Sequence, residues 1–190
     1  MPRKNAKHIT IWPKGLNHED QALLGIGHLV IAASTCEFFF FAILDCLIGR
    51  EGERHCEVLW LSHRNTSNRI NMVLRVCAIN RLDRKLLEEV RRCATLMKSI
   101  SELRNFYCHA RYIRNHDGSV HLEGFDLKHD YENAPDEMVE TKTKIIKRRS
   151  INELKAAVNR AEHLWVEMTL VAHRVRSHTG ALHVVLPEPL

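Results

Sequence analysis

Apolar residues recur along most of this chain at the alternating three-and-four step of a helix face, and local punctuation marks where each run starts and stops. Asn17 followed by His18, Glu19 and Asp20 is a capping amide with acids in the first turn, so a helix starts there and runs to about Ile48, stopping at Gly49. Phe38 to Phe41 make that helix apolar around most of its circumference, as a central helix requires. Asn65 and Thr66 cap a second helix over Ser67 to Asn80, with Ile70, Val73, Leu74 and Cys77 turned inward. Asp83 opens a third, whose seam is Leu86, Val90, Cys93, Met97, Ile100, Leu103, Tyr107 and Ala110. Ser150 and Glu153 form a capping box ahead of a last long helix carrying Ile151, Leu154, Val158, Ala161, Trp165, Met168, Ala172 and Val175, with Trp165 read as core. No proline occurs between Pro13 and Pro135, which fits long uninterrupted helices.

Two stretches break the helical period. Cys56 to Leu61 is a short apolar run that reads as strand or irregular chain. After Tyr112, Asp117-Gly118 is a tight-turn signal between Arg111–Arg114 and Val120–Leu127, which predicts a hairpin. Alternation over Val139 to Ile145 predicts a third strand. The fold class is therefore mainly α: a bundle of four to five helices, with a small antiparallel β insertion between the third long helix and the last. Residues 1–16 read as a basic flexible arm, 17–176 as the helical domain with the insertion at about 112–149, and 177–190 as a tail.

Composition narrows the class. At 190 residues and 45% hydrophobic content the chain fills one sizeable core. A formal charge of +5 is compatible with a polyanionic partner. Six cysteines without a Cys-x-x-Cys pair sit mostly in apolar helical stretches, the usage of a reducing cytoplasm. Met1 to Lys14 is basic with no apolar h-region, so it reads as an arm and not a secretion signal. The run Ala22 to Ile48 has the length of a membrane span, but His28, Glu37 and Asp45 interrupt it and no second span follows, so no membrane partner is expected. Among thirteen histidines, His116, His121 and His129 cluster in the insertion, yet no metal-ligand spacing and no phosphate-cradling glycine loop appears. No metal and no cofactor is expected. Cys108 and His109 are adjacent on a helix and point about 100° apart, which argues against a thiol nucleophile.

Candidate chemistry concentrates at the end of the third long helix, in Arg104, Asn105 and His109: a permanent cation, an amide, and the side chain that titrates near neutral pH. At roughly 100° per residue, with Leu103 at zero, Arg104 falls near 100°, Cys108 near 140°, Asn105 near 200° and His109 near 240°. All point away from their own core seam. Ala94, Ser101 and Cys108 lie on the same outward strip and are small enough to admit a second helix, so the layout predicts a site shared by a two-fold dimer.

Arg104-Asn105 followed by three residues and His109, at a helix end in a small helical chain, resembles the Arg-polar-x-x-x-His motif of the HEPN family. The resemblance covers roughly residues 17–112 and 150–176. It implies a HEPN-like helical bundle, a homodimer, and a metal-independent endoribonuclease of the toxin or phage-defence kind, with RNA as partner and an antitoxin or regulatory protein as a further one. Its implied catalytic set is Arg104, Asn105 and His109. The subfamily paired with nucleotidyltransferase antitoxins carries Tyr two residues after the His; here Arg111 stands there and Tyr112 follows, so Tyr112 is only an accessory candidate. Glu37 has two readings, a carboxylate at the bundle edge or the partner that orients Arg104 or His109. Lys142, Lys144, Lys147, Arg148 and Arg149 form a cluster that is either a solvated face or an RNA-binding strand. The rival function is a HEPN-like module that binds RNA, nucleotide or protein and cleaves nothing.

Overall fold

The computed structural model describes residues 12–49, 53–116, 119–127, 143–181 and 184–186. Its order is α1 (His18–Ile48), α2 (Glu53–Ser62), α3 (Thr66–Ile79), α4 (Arg84–His109), β1 (Arg111–Arg114), β2 (Val120–Leu127), β3 (Thr143–Ser150) and α5 (Ile151–Thr179). The fold is mainly α with a small antiparallel sheet, as the patterning predicts. Local chemistry sets the helix starts: the side chains of Asn17, Asn65 and Asp83 accept from the backbone amides of Asp20, Asn68 and Leu86. Ser150 and Glu153 form the expected capping box, and the Ser150 amide holds the Glu153 carboxyl below its usual range. α5 ends at Gly180, whose φ of 69° is the left-handed conformation that favours glycine at a helix stop.

α1 packs most extensively on α5, and α4 lies across both, with α3 wedged against α1 and α4. Phe39, Phe40, Leu29 and Ile43 of α1 are fully buried in the common core with Met97, Tyr107, Leu154 and Met168. α1 has the length and mean hydropathy of a membrane span, and 56% of its most apolar window is buried inside the bundle. The cysteines Cys36, Cys46, Cys56, Cys77 and Cys93 are buried and unpaired to one another. Burial pushes the Cys93 thiol up to about 11 and those of Cys46, Cys56 and Cys77 to about 12, so they are inert packing groups.

Five elements depart from the sequence reading. Residues 56–61 are helical, inside α2, because their burial follows a period of four: Cys56 is buried and Trp60 meets the Phe41 ring edge-on at 5.6 Å, while Val58, Leu59 and Leu61 are exposed. The third strand is seen over Thr143–Ser150, so it runs five residues past its expected end at Ile145; residues 139–142 fall outside the described residues. Its basic end is strand because Leu122 pairs with Arg149, and Glu123 with Arg148, in the β1-β2-β3 sheet. Ala94 and Ser101 are not outward. They are buried, because α4 is covered on its flanks by α1, α3 and α5. Trp165 is only partly buried. Past α5, Ala181, Val184 and Leu186 are buried on the bundle, so this part of the expected tail is packed. The basic arm falls outside the described residues up to residue 11.

The sheet is held to the bundle at one tight point. A Cβ on Gly124 would stand 2.2 Å from the Phe106 ring of α4, so only glycine allows β2 to approach there. The Arg149 guanidinium lies over the same ring at 5.0 Å and over Tyr107 at 5.8 Å.

Candidate active site

α1, α3 and α4 bring their polar side chains together around a single carboxylate. Arg104 Nη1 of α4 donates to Glu37 Oε1 at 3.3 Å. Thr66 Oγ1, in the first turn of α3, donates to the same oxygen at 2.5 Å. Arg69 Nη1, one turn further along α3, donates to Glu37 Oε2 at 3.5 Å. The side chains of Glu37, Arg69 and Arg104 are 17%, 22% and 26% exposed, so solvent screens this cluster only partly. Arg69 is fixed from behind as well: its Nε donates to the carbonyls of His63 at 2.9 Å and Trp60 at 3.3 Å, and its guanidinium lies 5.1 Å from the Trp60 ring centre. Of the two readings of Glu37, the geometry favours the partner of Arg104.

Arg104 has a second hold. Its Nε and Nη2 both donate to Asn105 Oδ1, at 3.3 and 3.1 Å. The amide next in sequence thus braces the guanidinium against the carboxylate that pulls on it from α1. A planar fork held in two directions presents its remaining donors at a set angle. These residues line a groove of about 570 Å³ between α3 and α4, whose walls also carry Arg64, Lys98 and Ser101.

His109 is not part of this groove. It is the last residue of α4, exposed, one turn beyond Asn105, where Ala110 turns extended and the chain enters β1. Among the described residues no hydrogen bond joins it to Arg104, Asn105 or Glu37. The structure therefore brings Arg104, Asn105 and Glu37 together and leaves His109 at the open end of the same helix. Tyr112 pairs with Leu122 in the sheet, and its hydroxyl is buried without a hydrogen-bond partner.

The basic strand divides. Lys142 and the side chains of Lys144 and Lys147 lie outside the described residues. Arg148 is exposed and reaches the buried Glu123 at 3.1 Å. Arg149 is half-buried on the Phe106 and Tyr107 rings and is not a surface cation. Sequence reading missed Thr66 and Arg69. Their spacing of three puts them on one face of α3, but nothing local says that this face meets α1. Among the described residues no group of three or more His, Cys, Asp or Glu is arranged to hold a metal ion. His121 stands 3.7 Å from Glu123, and His129 falls outside the described residues. No protein-family profile, curated protein or solved structure matches this chain.

Proposed function

We propose that this chain is a metal-independent endoribonuclease of HEPN type, acting as a homodimer. The observation that carries the reading is the Arg104 guanidinium, clamped by Glu37 and Asn105 at the edge of a basic groove, with an exposed His109 closing the same helix. RNA supplies its own nucleophile. His109 takes the proton of a ribose 2′-hydroxyl, whose oxygen attacks the adjacent phosphorus. The bond from phosphorus to the 5′-oxygen breaks, the 5′-oxygen takes a proton from solvent, and a 2′,3′-cyclic phosphate and a 5′-hydroxyl remain. Arg104 holds the phosphate and offsets the charge that grows on it. Arg148, exposed on β3 and paired to Glu123, is the described member of the basic run Lys142, Lys144, Lys147 and Arg148, which we propose as an RNA contact on its sequence alone.

A single copy leaves His109 in open solvent, so the reading needs a second one. The buried Ala94 and Ser101 remove α4 as the close-contact seam. Exposed apolar residues cluster most on α1 and α2: the exposed positions of α1 from residue 21 onward are Leu23, Gly27, Ile31, Ser34 and Phe38, one uncharged helical stripe. Val58 and Leu61 of α2 continue it, 66% and 72% exposed. A cavity lined by Phe38, Phe41, Trp60 and Leu61, with Glu57 and Glu37 as its two acids, shares Glu37 with the basic groove. A two-fold contact across this stripe sets two basic grooves side by side.

The test is cleavage of mixed RNA by purified protein in excess EDTA. Activity is expected to persist, to spare DNA, and to fall at least about a hundredfold in Arg104→Ala and His109→Ala with helicity unchanged. Loss of activity in EDTA, or two active mutants, would overturn the mechanism. RNA binding without any cleavage would favour the alternative of a non-catalytic HEPN-like binding dimer, which the pairing of Arg104 with Glu37 and Asn105 also suits.

A further inference from the structure

We propose that the groove between the start of α3 and the middle of α4 is a seat for a second phosphate group, supplied by an RNA strand whose neighbouring phosphate is held by Arg104. The choice of RNA as the source rests on the function proposed above; the anion seat itself rests on four features of the groove.

The first is the start of α3. Asn65 caps the Asn68 amide, which leaves the amides of Thr66 and Ser67 without an intrahelical acceptor, and no acid sits in that first turn to answer the helix dipole. The second is charge. Arg64, Arg69, Lys98 and Arg104 line the groove against the carboxylates of Glu37 and Glu102, so the cations exceed the acids. The third is rigidity: Arg69 is fixed by two backbone carbonyls and the Trp60 ring, so little freedom is lost when it meets an anion.

The fourth is independent of charge. Ser101 of α4 lines this groove, is 9% exposed, and its hydroxyl has no hydrogen-bond partner. Buried hydroxyls are nearly always paired, and one left unpaired at the wall of a basic groove is a donor waiting for an acceptor. A phosphate oxygen supplies it. Thr66, Ser67 and Arg69 of α3 and Lys98, Ser101 and Arg104 of α4 line the same groove from two helices, which distinguishes a seat from a solvated basic face.

The experiment is a titration of the whole chain with inorganic phosphate and with an eight-residue 2′-O-methyl RNA that has no free 2′-hydroxyl to cleave. Both are expected to bind, the RNA more tightly. Ser101→Ala should weaken both several-fold while leaving the melting temperature equal or higher, since it removes an unsatisfied buried group. Arg69→Gln and Lys98→Gln should weaken both and lower the slope of log K against log salt for the RNA by about 0.7 for each phosphate charge that is no longer neutralised. Arg84→Gln, at the far exposed end of α4, should change neither. If Arg69→Gln does not fold, Ser101→Ala and Lys98→Gln carry the test. Phosphate binding without RNA binding would overturn RNA as the source. RNA binding indifferent to Ser101→Ala and Lys98→Gln, or no binding of either probe, would overturn the seat. Because the probe is uncleavable, an inactive enzyme that still binds it through Ser101 and Lys98 would sink the ribonuclease reading and leave the seat standing.

Discussion

The Glu37 carboxylate and the Arg104 guanidinium meet at 3.3 Å across a separation of 67 residues. Glu37 is also the acceptor for Thr66 and Arg69, so one α1 side chain sets the position of two cations on two other helices. Replacing it by glutamine keeps the shape and removes the charge. Glu37→Gln is expected to bind uncleavable RNA more tightly, because two guanidiniums are released, and to cleave more slowly, because Arg104 loses its fixed direction. Stability should fall by about 2 kcal/mol, the scale of losing charge-assisted hydrogen bonds in a partly buried site. Unchanged cleavage would reduce Glu37 to a structural role.

The exposed stripe on α1 makes a second prediction. Phe38 is 45% exposed and Ile31 61%, and two turns separate them on one face. Phe38→Arg should give a folded monomer by light scattering, with a melting temperature close to that of the wild type and no ribonuclease activity. A wild type that is monomeric at micromolar concentration and still cleaves RNA would sink the shared site.

The close approach of β2 to α4 is testable without any activity. Gly124→Ala drives a methyl into the Phe106 ring, which Arg149 stacks on and Tyr107 meets edge-on, so the ring has little room to retreat. The expected cost is about 1–3 kcal/mol. Phe106→Leu in the same chain should recover part of it, because the two changes act at one point of packing. Equal melting temperatures for Gly124→Ala and wild type would show that the sheet is free to move off the helix.

Alkaline pH should unfold this chain early. The buried thiols of Cys46, Cys56, Cys77 and Cys93 are raised from 9.0 to between about 11 and 12 by desolvation, so the folded chain keeps protons that the unfolded chain releases. The folded state then binds more protons, and stability falls as pH rises. The contribution is complete below pH 9 and is lost between pH 9 and the folded values, at about 1.4 kcal/mol per pH unit for each thiol. Urea midpoints at pH 8, 9 and 10 are expected to drop steeply above 9, and less steeply in Cys77→Ala. The same slope in both chains would assign the alkaline loss to other groups.

The sequence by itself determined the elements whose signals are local. Asn17, Asn65, Asp83 and the Ser150–Glu153 box mark the helix starts because a cap needs only the next three residues. The seams of α4 and α5 are legible because burial on one side imposes a period. The hairpin Arg111–Arg114 with Val120–Leu127 appears at the expected bounds, since Asp117-Gly118 signals the turn between two strand-like runs. The site was half legible: residue type and spacing pick out Arg104, Asn105 and His109, and they pick out Glu37 as a polar break in an apolar helix.

Only the tertiary structure decided what faces what. Periodicity gives one buried side of α4, but it does not say how many neighbours cover the flanks, and three of them bury Ala94 and Ser101. The exposure of Val58 and Leu61 on α2, the resting of Arg149 on two aromatic rings, and the convergence of Thr66, Arg69 and Arg104 on Glu37 all depend on pairs distant in sequence. Such pairings form when helices choose their neighbours. That choice is made by the fit of whole surfaces, which no window of local sequence contains.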